Sequence, residues 1–309
     1  ETMRANYPTI KIDTDASVST PKLLEKVRDQ QVQCTISDSS IFSINRRYYP
    51  EIAKRYTLQE GAQLAWMFEQ NNPALNQVIK TWFTAYQASG NFEQMNEKYF
   101  GHIEAFDYVD IQKFKRRIKS RLPKYKAMFI EAAQKYDIPP ALLAAQSYQE
   151  SHWNPRAKSP TGVRGIMMLT LPVAKSLGVT SRLNAEQNIF AGAKYFARMQ
   201  NMFDEEVLEP DRTWMALAAY NVGRGHFRDA QMLAKKLGKS PYIWTDIKEV
   251  LPLLSDKKYY TDLRYGYARG NEPVQYVTRI RDYDDILEQE FTPNDVEALE
   301  SKPEEITQH

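Results

Sequence analysis

The residue run Gln149-Glu150-Ser151-His152-Trp153-Asn154-Pro155 holds a carboxylate where it could act as an acid. Glu150 falls near the end of a helical pattern opened by Pro139-Pro140 and filled by Ala141, Leu142, Leu143, Ala144 and Ala145. Apolar surroundings disfavour the charged form of a carboxyl. The negative end of a helix dipole acts in the same direction. A carboxylic acid that keeps its proton near neutral pH is what general acid catalysis requires. Other patterns do not assemble a site. The four histidines, His102, His152, His226 and His309, include no pair at metal-ligand spacing, so neither a metal nor an organic cofactor is expected. Ser19-Thr20-Pro21-Lys22 has the Ser-x-x-Lys form but no downstream Lys-Thr-Gly or Ser-Asp-Asn. Gly223-Arg224-Gly225 lacks the third glycine of a dinucleotide loop.

The elements that must position Glu150 follow from the periodicity. From about residue 124 to 285 the apolar spacing is helical, with a glycine stop after Leu177 and breaks at Gly223 and Gly225. In front of it, between Ile111 and Lys126, lie eight Lys and Arg and no acid. Ile111, Phe114, Ile118 and Leu122 make that stretch a basic amphipathic helix, either a solvated connector or a surface for an anionic polymer or membrane. The first hundred residues alternate helix-like stretches with short strand-like ones at 9–13, 33–37 and 63–68, which suggests α/β. Asn72-Pro73 reads as a helix start, with Leu75, Val78, Ile79, Trp82, Phe83 and Tyr86 behind it at helical spacing. From Asp282 to His309 there are ten Asp and Glu and one Lys, which predicts a frayed acidic tail.

Composition bounds these readings. The 309 residues carry 41 Lys and Arg against 39 Asp and Glu, so the chain as a whole is not a nucleic-acid binder by charge. The only cysteine is Cys34, which excludes an intrachain disulfide. The longest apolar runs fall far below the roughly 18 residues of a membrane span. The chain begins at Glu1 and shows no signal peptide, which suggests a processed form or an excised piece.

Three further segments join the Glu150 run in a fixed order: Gly165-Ile166-Met167-Met168-Leu169-Thr170, then Ala219-Tyr220-Asn221-Val222-Gly223, then Gln275-Tyr276-Val277. Together they resemble the goose-lysozyme-like lytic transglycosylases of family 1, over roughly residues 125–285. The resemblance implies a peptidoglycan enzyme that cleaves the MurNAc-β-1,4-GlcNAc bond without water and leaves a 1,6-anhydro end. It implies Glu150 as the acid and then the base. Ser159, Thr161, Met168, Tyr220, Asn221 and Tyr276 become the substrate-binding set. Met168 departs from the family pattern, where most members have Gln. Tyr148, Trp153, Tyr259, Tyr260, Tyr265 and Tyr267 are candidates for stacking on sugars.

The Gly-Ile-Met-Met-Leu-Thr variant with an α/β segment in front resembles the membrane-bound members that carry a solute-binding-like domain. Ile36-Ser37-Asp38-Ser39 and the closing Glu97-Lys98-Tyr99-Phe100-Gly101-His102 are the matching features. That likeness implies Asp38 as the carboxylate for the amino group of an amino-acid or muropeptide ligand. It also implies a periplasmic place, peripheral to the outer membrane of a Gram-negative bacterium. The expected organisation is α+β overall. A partial α/β periplasmic-binding-protein-like domain spans 1–106 and a basic linker helix 107–123. A mainly α lysozyme-like domain spans 124–285, and an acidic tail 286–309. The competing functions are a goose-type lysozyme acting with water and a solute-binding or stem-peptide-binding protein with an inactive catalytic domain.

Overall fold

The computed structural model describes residues 8–9, 11–58, 65–68, 72–103, 108–292 and 294–295. The chain divides into two compact units, Glu1–Ala65 and Trp66–His309. In the first unit, α1 (Thr20–Arg28) packs on α2 (Ser39–Arg46). Leu24 is buried there, and Tyr49 donates a hydrogen bond to Glu25 at 3.1 Å.

The three short strands expected in the first hundred residues do not form at any described position. Lys11–Asp13, residues 33–37 and residues 65–68 are extended or bent chain without ladder partners. Ile10, Gln63 and Leu64 lie outside the described residues. A strand is stable only when a neighbour takes up its backbone donors and acceptors, and no neighbouring strand is present among the described residues. The observed architecture is therefore mostly helical, and the α+β description is not met.

In the second unit, α3 (Pro73–Ala88) and α4 (Asn91–Phe100) form a helical hairpin. Asn72 caps α3 by accepting from the Leu75 amide at 3.0 Å, as Asn before a first-turn proline suggests. The basic helix α5 (Tyr108–Ser120) buries Ile111, Phe114 and Ile118 and leaves Lys113, Arg116 and Lys119 exposed. It is followed by a 3₁₀ turn, Leu122–Lys124, then α6 (Lys126–Tyr136) and α7 (Pro140–Ser151).

Helix α7 is the axis of the unit. Nine of its twelve residues are buried, all except Pro140, Gln149 and Glu150. Apolar or small side chains on every side explain this, because such a helix has no face to offer water. Helix α7 is followed by α8 (Leu171–Ser176), α9 (Ala185–Gln200), α10 (Asp211–Val222), α11 (Arg224–Lys236), α12 (Trp244–Val250) and the short α13 (Lys257–Tyr260). Among the described residues, the last long helix, α14 (Asn271–Leu287), lies along α7 in the most extensive helix pairing.

Helix α14 runs past the expected start of the tail. Asp282 is 1% exposed, and Ile286 and Leu287 are buried. Asp295 pairs with Lys126 at 2.7 Å. Residues 296–309, most of the expected tail, lie outside the described residues. The proposed junction at 106–107 also falls outside them.

Two polar anchors hold α4 and its end to the rest of the second unit. The buried Glu97 carboxylate meets the Arg281 guanidinium at 2.6 Å and the Lys248 ammonium at 2.5 Å. Arg281 also lies over the Trp214 ring, 3.9 Å from its centroid. His102, just beyond α4, contacts Asp285 on α14 at 2.7 Å.

Candidate active site

Glu150 sits in the last turn of α7, where the helix is about to stop. His152 and Trp153 both take left-handed backbone conformations, with φ of 55° and 56°. The reversal drives the Trp153 indole back into the core, where its Nε1 donates to the Ala144 carbonyl at 2.9 Å. Phe114, Tyr148, Trp153 and Tyr283 close around that point, with Phe114 4.4 Å from Tyr148 and 4.6 Å from Tyr283 by ring centroids. The apolar face of the basic helix thus helps to fix the end of α7. Arg121 donates to the His152 carbonyl at 2.9 Å from the same side.

Tyr276 on α14 is buried, and its hydroxyl donates to Glu150 Oε1 at 2.6 Å. Burial pushes the Glu150 carboxyl up to about 7, and the Tyr276 hydrogen bond partly opposes that rise. No charged side chain contributes to the shift. The main cause is desolvation, as the apolar helix suggested. Tyr220 at the end of α10 lies close enough for the Glu150 charge to raise its own hydroxyl, on top of the larger effect of burial.

The Gly165-to-Thr170 segment forms a tight loop beside this carboxyl. Its two isolated bridges, Lys158 with Arg164 and Arg164 with Leu169, are the only β pairings among the described residues. Three helices clamp it. From α7, Ser147 and Ser151 donate to the Ile166 carbonyl at 3.1 and 2.7 Å. From α9, Asn188 accepts from the Met167 amide at 2.7 Å. From α10, Tyr220 donates to the Met167 carbonyl at 2.9 Å. Gly165 has φ of +93°, and a Cβ there would lie 2.1 Å from the Arg182 carbonyl oxygen, so no larger residue fits.

The other expected site residues divide. Met168 lies in this loop with φ of 47° and a partly exposed side chain. Asn221 is exposed at the end of α10. Ser159 and Thr161 bond to each other at 2.8 Å, and Ser159 also accepts from the Val163 amide, so both hydroxyls serve the turn they stand in. Asp38 is exposed immediately before α2 in the first unit. Among the stacking candidates, Tyr148 and Trp153 are 2% and 1% exposed, which removes them. Tyr265 and Tyr267 are about half exposed and can meet a ligand.

Sequence reading missed Gln146, a buried amide one helical turn before Glu150, and Asn188, the clamp on the loop. The signal for Gln146 was its polarity within an otherwise apolar stretch, at the four-residue spacing that shares a helix face. Among the described residues, His102, Asp282 and Asp285 form the one group whose ligand atoms could surround a metal, all within 4.8 Å. The close His102–Asp285 contact accounts for much of that geometry without an ion. Cavities of about 610 and 280 Å³ lie near α4 and Trp214, and neither is lined by Glu150.

The acid at the end of α7, the tyrosine of α14 on its oxygen and the glycine-turned loop clamped beside them make up the candidate site. Residues 127–243 match the Transglycosylase SLT domain. Over most of its length the chain is similar to membrane-bound lytic murein transglycosylases F. It is 46% identical to "Membrane-bound lytic murein transglycosylase F 2" of Alkalilimnicola ehrlichii, over 94% of this chain and 64% of the relative. The enzyme named membrane-bound lytic murein transglycosylase F in Shewanella loihica is 46% identical over 92% of this chain and 60% of its own length. The one from Aliivibrio fischeri is 44% identical over 91% and 57%. The chain thus spans about 60% of the length of these relatives. Lytic transglycosylase Slt of Pseudomonas aeruginosa aligns over 93% of this chain and 40% of that one, with 16% identity and a TM-score of 0.42, too loose to define a shared architecture. No described helix is long and apolar enough to cross a membrane.

Proposed function

We propose that this chain is the catalytic part of a peptidoglycan lytic transglycosylase that cleaves the MurNAc-β-1,4-GlcNAc bond and leaves a 1,6-anhydroMurNAc end. The observation that carries this reading is the Glu150 carboxyl, raised to about 7 by burial and held by Tyr276. At neutral pH a large fraction of it is protonated and can give a proton to the leaving glycosidic oxygen. The carboxylate left behind then takes the proton of the muramoyl C6 hydroxyl as that oxygen attacks C1. One carboxyl serves both steps, so no second acid is required, in contrast to hydrolases that place a water between two carboxyls. Tyr220 and the Met168 loop form the wall beside the bond, with Asn221, Ser159 and Thr161 toward the glycan.

The finer parts of the reading are proposed with it. The first unit belongs to a solute-binding-like domain in which Asp38 meets the amino group of a muropeptide or amino acid, and that ligand regulates cleavage. The name "membrane-bound" carried by the relatives supports association with a membrane, and a periplasmic place peripheral to the outer membrane is proposed with it.

The test is product analysis on purified sacculi. The wild-type chain should release anhydromuropeptides, and Glu150→Gln should lower the rate by at least about a thousandfold. Reducing-end products, heavier by the roughly 18 Da of one water, would instead mean a lysozyme.

A further inference from the structure

Gln146 and Glu150 are one turn apart on α7, and both reach the same hydroxyl. Gln146 Nε2 donates to the Tyr276 hydroxyl oxygen at 3.3 Å, and that hydroxyl donates to Glu150 Oε1 at 2.6 Å. Gln146 is 1% exposed and Tyr276 is 4% exposed, so water does not replace either bond easily. The chain has a direction. A phenol has one hydrogen and can accept at its oxygen. With an amide N–H on that oxygen, the phenol hydrogen is committed to Glu150, and the phenol oxygen is a poor acceptor for any proton from Glu150 itself. Among the described residues, no donor other than Tyr276 is bonded to the Glu150 carboxyl.

We propose that Gln146 is a positioning residue for the glycan-cleavage reaction: by donating to Tyr276 it aims the phenol hydrogen at Glu150 Oε1, and so confines the transferable proton of Glu150 to Oε2. This rests on the transglycosylase reading of Glu150. Oε1 then remains the carbonyl oxygen of the acid, and Oε2 is the atom that gives the proton and later recovers it. The proton leaves Oε2 for the leaving oxygen, the negative charge spreads to Oε1, and the Tyr276 hydrogen bond strengthens as it does so. The same polarised phenol favours the ionised carboxyl, which places Gln146 on the side of lowering the Glu150 pKa against the rise caused by burial.

The decisive variant is Gln146→Met, which is nearly isosteric and has no N–H, with Gln146→Leu as a second form should the first not fold. Two readouts are needed. On sacculi, kcat should fall roughly fivefold with KM little changed, the scale of one neutral hydrogen bond. In a Tyr276→Phe background the same substitution should have almost no further effect, because the chain is already cut. By 13C NMR of glutamate-labelled full chain, the Glu150 titration should move upward in Gln146→Met without any substrate present. An unmoved titration, or an equal loss of kcat in both backgrounds, would overturn the assignment and leave Gln146 as packing. If the wild type forms no anhydro product, the functional reading fails instead, and the titration still decides whether Gln146 acts on Glu150.

Discussion

Glu150 keeps its proton because its surroundings offer little to stabilise a negative charge beyond one phenol. That has a consequence for stability as well as for rate. The folded-state value of about 7 lies above the unfolded value of 4.5. Between those limits the folded chain holds a proton that the unfolded chain has released, so stability falls as pH rises through this window. Glu150→Gln removes the slope. The variant should therefore gain on the wild type in thermal unfolding from pH 5 to 8, by at most about 3 kcal/mol given that the residue is not fully enclosed. Cleavage by the wild type should fall on the alkaline side as the acid form is lost, with its midpoint near the same pH in kcat/KM profiles. Glu150 was marked in the sequence by its place at the end of an apolar helix, and its assignment came with the three further segments that carry the family resemblance. Its partner Tyr276 was legible only through the family resemblance, because 126 residues separate the two and no local pattern joins them. Gln146 was overlooked because a glutamine within a buried helix has no chemistry until its neighbour across the interface is known.

At the level of elements, the helices of the second unit were readable from proline starts, glycine stops and apolar spacing. The strands expected in the first hundred residues were not, because β-forming side chains indicate a strand only if another strand lies beside them. The anchoring of α4 was equally hidden. Glu97 looked like part of a closing motif and proves to be a buried ion-pair centre between Arg281 and Lys248. Truncating it leaves Arg281 charged, 6% exposed and without its carboxylate. Glu97→Ala should cost about 3–5 kcal/mol in denaturant unfolding, on the scale of breaking a buried pair from one side. The loop beside Glu150 is as tightly specified. Gly165→Ala should both lower the unfolding temperature and reduce cleavage, because the added Cβ would press on Asn188, which holds the Met167 amide, and on Arg182, whose guanidinium holds the Leu169 carbonyl.

Across the whole molecule, the balanced charge conceals a basic helix and an acidic C-terminal stretch. The apolar side of α5 is committed to the aromatic cluster behind α7, so its exposed cations are presented in a fixed orientation. Replacing Arg116, Lys119 and Lys124 with Gln should weaken association with anionic sacculi at low ionic strength, and 0.5 M salt, taken as roughly several times the physiological level, should erase the difference in a pelleting assay. Folding should survive, since none of the three is buried. A last consequence concerns which changes of length the chain can survive. On α7, Gln146 and Glu150 face α14, while Ser147 and Ser151 face the Ile166 carbonyl. Each added or deleted residue turns the downstream part of a helix by about 100°. An insertion between Pro140 and Gln146 would turn both pairs away from their partners at once. Natural variation of this protein should therefore show substitutions within α7 but no insertions or deletions, with length changes confined to surface connections such as residues 89–90.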